Sequence, residues 1–135
     1  MKYLITGGAG FIGSHIAQTL LERGETVRIL DNFSTGKREN IEVLTKQFGR
    51  DQLEIQEGDV RDAAHVKAAV AGIEVIFHEA AFVSVPQSMD EPQECFDVNI
   101  TGTSQLFDAA RRAGVRRAVV ASSAAVYGES DAFPL

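Results

Sequence analysis

Cys95 is the only cysteine in this chain of 135 residues, so no disulfide closes within it and a reducing, cytoplasmic setting is expected. Tryptophan is absent, and there are only three prolines and three histidines. Proline-rich and low-complexity segments are thereby excluded. No histidine or cysteine falls at metal-ligand spacing, so no metal is expected. Cations are scarce: 13 Lys and Arg stand against 19 Asp and Glu, a formal net charge of −6. That sign argues against nucleic acid or an anionic membrane surface as a partner. The one basic cluster, Arg111, Arg112, Arg116 and Arg117, brackets Gly114 and reads as a solvated helix end, where cations suit the dipole. No apolar run reaches the roughly 20 residues that cross a bilayer. The chain enters a strand-like segment at once, without the basic and apolar regions of a secretory leader. Its length suits one domain, 1–135, with a real core.

Glycine is where the sequence becomes informative. Lys2 to Ile5 reads as a short buried strand, and Thr6-Gly7-Gly8-Ala9-Gly10-Phe11-Ile12-Gly13 follows it. Ile12, Ile16 and Leu20 then recur at helical spacing, which predicts an inward helix face. Strand, glycine turn and helix is the context of a dinucleotide-phosphate site. In it Gly7 allows the tight turn, Gly10 lets the backbone approach a diphosphate, and Gly13 permits close helix packing. The anion is held by free N–H groups at the positive end of the helix dipole. A second apolar run, Thr26 to Leu30, ends on Asp31, eighteen positions after Gly13. A carboxylate there accepts hydrogen bonds from ribose hydroxyls and repels a 2′-phosphate, which favours NAD over NADP. Lys37 and Arg38, a few residues on, keep the NADP alternative open.

Further strands are predicted over Leu53–Gln56, Ile73–Phe77 and Ala118–Ala121. Helices alternate with them: one carrying Ile41, Leu44 and Phe48, one from Asp62 with Val66 and Val70 inward, and a long one with Phe96, Ile100, Phe107 and Ala110. The segment from His78 to Pro92 reads as a long loop, a functional candidate by length. Alternation of this kind predicts an α/β, Rossmann-type doubly wound parallel sheet of order 3-2-1-4-5. Its strand ends carry the glycine turn, Asp31, Asp59-Val60, His78 to Ala81 and Ser122-Ser123 on one rim.

These segments, with Gly58-Asp59-Val60-Arg61-Asp62, Asn99-Ile100-Thr101-Gly102-Thr103 and Ser122-Ser123-Ala124-Ala125-Val126-Tyr127-Gly128, resemble the extended short-chain dehydrogenase/reductases. Among these the chain is most similar to the NAD-dependent UDP-glucose 4-epimerase group. The resemblance implies that Phe11 and Ile12 meet the diphosphate through their N–H groups, and that Asp31 and Asn32 hold the adenosine ribose with Ser34 and Thr35 nearby. Asp59 and Val60 would contact adenine, and Ala80 and Ala81 would line the middle of the cofactor. Asn99 would tie the fourth-strand region to the long helix, and Ser123 would hydrogen-bond the reacting sugar hydroxyl. Ser84-Val85-Pro86-Gln87-Ser88 resembles the substrate segment of epimerases acting on UDP-N-acetylhexosamines, which makes Ser84 and Val85 substrate candidates. Glu79 departs from the apolar residue often found at its position.

The reaction implied by the resemblance moves a hydride from sugar C4 to NAD and back to the other face of a 4-keto sugar. It needs a tyrosinate base with a lysine four residues on, which lowers the phenol's pKa. Tyr3 is followed at that distance by Gly7, and Tyr127 by Asp131. The chain therefore reads as the first part of an epimerase-like enzyme, inactive by itself, whose full-length form is a homodimer acting on a UDP-sugar. A nucleotide-sugar 4,6-dehydratase and a UDP-glucuronate decarboxylase share these motifs and remain alternatives. A binding module that senses NAD is the alternative of another class. His15 reads as packed or capping, His65 as solvated and His78 as a scaffold hydrogen-bonder. Ser122-Ser123 lacks the surroundings of a nucleophile elbow.

Overall fold

A computed structural model describes residues 1–128. The expected domain limit at residue 135, and Asp131, lie outside the described residues. Strands β1 (Lys2–Thr6), β2 (Thr26–Asp31), β3 (Leu53–Glu57), β4 (Val75–His78) and β5 (Arg117–Val120) all pair in parallel. Their order is 3-2-1-4-5, as expected. Helices α1 (Phe11–Glu22), α2 (Arg38–Gln47), α3 (Ala63–Val70), α4 (Val85–Asp90), α5 (Pro92–Phe96) and α6 (Thr103–Ala113) connect them.

Period-two alternation in the strands builds two separate cores. Tyr3, Ile5, Val27 and Ile29 meet Ala17, Leu20 and Leu21 of α1 and Ile41 and Leu44 of α2. Leu4, Leu30 and Ile76 meet Val66, Ala69 and Val70 of α3 and Leu106 and Ala110 of α6. Register then sets the rim: Thr6 lies beside Leu30 and His78, and Asp31 beside Glu57. The carboxyl ends of four strands are thereby level with one another. No helix among the described residues is long and apolar enough to cross a membrane.

Three local expectations are corrected. Ile12 is 60% exposed; the inward face of α1 is Gly13, Ala17, Leu20 and Leu21, because Ile12 lies on the side of the first turn that borders open space. The segment from His78 to Pro92 contains α4, whose N-cap Ser84 accepts from the Gln87 N–H at 3.3 Å. Pro86 and Pro92 both fall in the first turns of helices, where a missing N–H costs nothing. Between α5 and α6, Asp97–Gly102 is π-helical, and Phe96 and Ile100 face solvent.

Arg28 is a cation on an inward strand position, 8% exposed. Its Nη1 donates to the carbonyls of Ala68, Ala69 and Ala71 at the C-terminal end of α3, and Nη2 pairs with Glu54 at 2.8 Å. The guanidinium thus satisfies carbonyls that the helix leaves open.

Candidate functional site

Along the rim runs a groove of about 630 Å³, walled by the glycine turn, the ends of β2 and β3, and the chain after β4. Its first wall is backbone. Gly7 turns with φ +71°, and a Cβ there would lie 2.7 Å from the Ala80 nitrogen; a Cβ on Gly13 would lie 2.4 Å from the Gly7 carbonyl oxygen. Neither position has room for a side chain. A Cβ on Gly10 would meet only the Gly7 oxygen, at 3.2 Å, so a side chain there would fill the groove itself. Helix α1 has no side-chain cap and no acid in its first turn. The N–H of Gly10 is taken by the Gly7 carbonyl. The amides of Phe11, Ile12 and Gly13 are the ones a helix cannot pair internally, and they carry the positive end of the dipole.

Asp31 closes the second wall, 7% exposed. Its Oδ2 accepts from the Ala9 N–H and its Oδ1 from the Phe33 N–H, both at 2.8 Å. A carboxylate has about four acceptor sites, so capacity remains for a ligand. The Lys37 N–H and Asn40 Nδ2 both donate to the Ala9 carbonyl, which sews the 32–37 loop to the glycine turn. Phe33 sits at φ 57°, an unusual backbone region for a bulky residue. The Asp31 hydrogen bond and the Arg38 guanidinium, 4.1 Å over its ring, hold it there. Arg38 is also paired with Glu57 at 2.9 Å.

The third wall is a network. Asp59 accepts from the Arg61 N–H and Nε on Oδ1, and from Arg61 Nη2 and Asn32 Nδ2 on Oδ2. Hydrogen bonds from the Arg61 side chain hold its carboxyl far below the usual carboxylate range. Asp59 in turn raises the guanidinium, and Glu94 on α5 adds a second ion pair at 3.2 Å. Asn32 Oδ1 accepts from the Ser34 N–H, fixing the turn beside it.

Thirteen of the fourteen expected cofactor residues line the groove: Gly7, Gly10, Phe11, Ile12, Gly13, Asp31, Asn32, Ser34, Thr35, Asp59, Val60, Ala80 and Ala81. Asn99 does not line it. Its Oδ1 accepts from the Phe82 N–H at 2.8 Å and its Nδ2 donates to the Phe82 carbonyl at 3.0 Å. Ser84 is on the wall, whereas Val85, 74% exposed, is not. Ser123 lies beyond β5, off the groove, and its Oγ accepts from the Ala125 N–H at 3.1 Å. His78 is buried between Thr6 and Thr103, at 2.6 and 2.8 Å, and burial lowers its pKa. Arg61 and Glu94 had no role assigned from the sequence. Arg61 stood inside a recognised motif, but a pairing with Glu94, 33 positions away, leaves no local trace.

Comparison with known proteins bears on this geometry. The chain is 41% identical over 136 residues to UDP-glucose 4-epimerase of Klebsiella pneumoniae, covering 99% of this chain and 97% of that protein. With the enzyme of the same name from Streptomyces lividans the identity is 39%, over 99% of this chain but 39% of the relative. A crystal structure of UDP-glucose-4-epimerase from Stenotrophomonas maltophila, with bound NAD and formylated UDP-arabinopyranose, superposes with a TM-score of 0.91 at 36% identity. All of this chain and 40% of that one are covered. A dTDP-glucose 4,6-dehydratase from Streptomyces venezuelae, with NAD and TYD bound, gives 0.89 at 34% identity, over 98% of this chain and 42% of that one. Apart from the Klebsiella protein, the chain spans about two fifths of these relatives. The model of the NAD dependent epimerase/dehydratase family matches residues 3–134. A glycine cradle, a strand-end aspartate and a match over nearly every residue place the chain in the NAD dependent epimerase/dehydratase family, whose cofactor is NAD.

Proposed function

We propose that the groove binds NAD along its length and that the chain is the cofactor-binding portion of a UDP-hexose 4-epimerase. One observation carries the reading: three amides at the start of α1 have no hydrogen-bond partner among the described residues and stand across from Asp31, with space at Gly10 between them. The amides of Phe11 and Ile12 hold the diphosphate. Asp31 takes the adenosine ribose, with Asn32, Ser34 and Thr35 beside it. Val60 lines the adenine pocket, and Asp59, its four acceptor sites in use, contributes by fixing Arg61 and Asn32. Ala80 and Ala81 form the floor, and Asn99 acts through the Phe82 peptide. When bound, NAD supplies a reversible hydride acceptor, the chemistry that inversion at a sugar carbon requires. Ser123 orients the sugar hydroxyl. A serine hydroxyl stays protonated near neutral pH, so it is no base, and these 135 residues by themselves turn over no UDP-hexose.

Ser84, on the wall at the cap of α4, belongs to the segment that suggests N-acetylated sugars. A 4,6-dehydratase is the second reading, favoured by the Streptomyces venezuelae likeness. We place the whole protein in the cytoplasm as a homodimer, paired through the exposed face that carries Phe96 and Ile100.

NAD and NADP titrated against the wild type and Asp31→Ala test the cofactor site. The wild type prefers NAD, partly because Arg38 is engaged by Glu57 and Phe33. Asp31→Ala loses about 1–3 kcal/mol of NAD binding and most of the preference. Equal affinity of the wild type for both cofactors would sink the assignment.

A further inference from the structure

The groove is short of positive charge where an anionic ligand would enter. Among the described residues its walls carry four acidic side chains, Asp31, Asp59, Glu79 and Glu94, against the single basic Arg61. Arg61 is held by Asp59 and Glu94 at 2.8 and 3.2 Å. Asp31 is compensated by the Ala9 and Phe33 amides. The phosphate loop and the start of α1 bring only apolar or small residues to the groove, and α4 brings the neutral Gln87. His78, next in the chain, is turned inward and held by Thr6 and Thr103.

Glu79 is different. It is half-buried on the groove wall, and its carboxyl has no hydrogen-bond or ion-pair partner among the described residues. Its own peptide is pressed on the phosphate loop: a Cβ on Gly7 would lie 2.9 Å from the Glu79 carbonyl carbon. Burial pushes the carboxyl above the ordinary glutamate range, and no cation opposes the shift.

Granting that NAD lies in this groove, we propose that Glu79 takes up a proton from solvent as the dinucleotide binds, and that its neutral carboxyl donates a hydrogen bond to a diphosphate oxygen. An ionised Glu79 sets a like charge beside the diphosphate in a partly desolvated site, where repulsion is stronger than in water. Binding therefore raises the pKa of Glu79 further. The sign follows from linkage: a group protonated more fully in the complex takes up a proton between its free and bound pKa values. Affinity for NAD is highest below that window and falls as pH rises through it.

Calorimetric titration of NAD and of adenosine, across pH and in buffers of different ionisation enthalpy, reads the proton directly. The wild type should take up close to one proton with NAD inside the window and none with adenosine. Glu79→Gln, which keeps the donor without the charge, should take up none and bind NAD about fivefold tighter than wild type near pH 8. Melting confirms that the variant folds. Weaker binding by Glu79→Gln at every pH would overturn the proposal and make Glu79 an acceptor for a hydroxyl. Unchanged proton uptake in the variant would also overturn it, assigning the proton elsewhere. Adenosine binding without any NAD binding by a folded wild type would remove the diphosphate reading of the groove, and this proposal with it.

Discussion

Asp31 illustrates how one carboxylate serves two levels of structure. The two amides it accepts belong to Ala9 and Phe33, so the residue assigned to the ribose also fixes the loops on either side of it. Its position was legible because strand, glycine turn and acidic residue keep a fixed separation in sequence. Its scaffold role was not, since nothing local marks Ala9 as the donor. Asp59 is the complementary case. Its folded-state pKa is depressed by Arg61, so its contribution is present in full above the unfolded value, near 4. It is lost as pH falls from there through the lower folded value. Acid melting should therefore show the wild type losing stability below about pH 4 more steeply than Asp59→Asn, which has no carboxyl to titrate. The pair is partly exposed, at 37% and 22% for the two side chains, so salt should blunt the difference. Identical acid slopes for the two proteins would mean that the Arg61 clamp is thermodynamically idle.

At the scale of elements, the strands and long helices follow from apolar period, whereas the segment after β4 does not. Its shape is set by a side chain seventeen residues away: Asn99, in the π-helical turn, pairs with both polar groups of the Phe82 peptide. A π-helix closes each hydrogen bond one residue further along than an α-helix, which shifts side-chain directions, a feature often found at functional sites. The helical spacing of Phe96, Ile100 and Phe107 conceals that shift. Asn99→Leu should leave the Phe82 N–H and carbonyl unpaired, at a cost of about 1–3 kcal/mol. We expect faster hydrogen exchange at Phe82 and weaker NAD binding, with the two cores intact. Asn99→Asp keeps the acceptor for the Phe82 N–H but loses the donor to its carbonyl, and should fall between. A large drop in melting temperature with unaltered exchange at Phe82 would assign Asn99 to the core instead.

For the whole molecule, alternation of elements and the right-handed crossover rule suffice to order the sheet. They say nothing of how evenly the sheet is covered. Parallel strands are ordinarily buried on both faces, and β1 and β2 conform. Strand β5 does not: all four of its residues are exposed, with Val119 at 42% and Val120 at 46%, and Val126 and Tyr127 follow at 71% and 66%. Among the described residues it pairs only with β4, and the strand itself carries neither proline nor bulge, the usual deterrents to pairing with another chain. Arg117 is its one charged residue. Covering apolar surface of this kind yields about 25 cal/mol per Å², and a second copy of the chain brings the same edge. Self-association should therefore grow with concentration in the micromolar range, as it does for other exposed edges. Light scattering after size exclusion should show species larger than a dimer in the wild type, and Val120→Lys should suppress them. Val43→Lys, at a more exposed apolar site on α2 (59%), should leave them unchanged. If Val43→Lys suppressed association as strongly as Val120→Lys, general surface apolarity would be responsible and not the β5 edge.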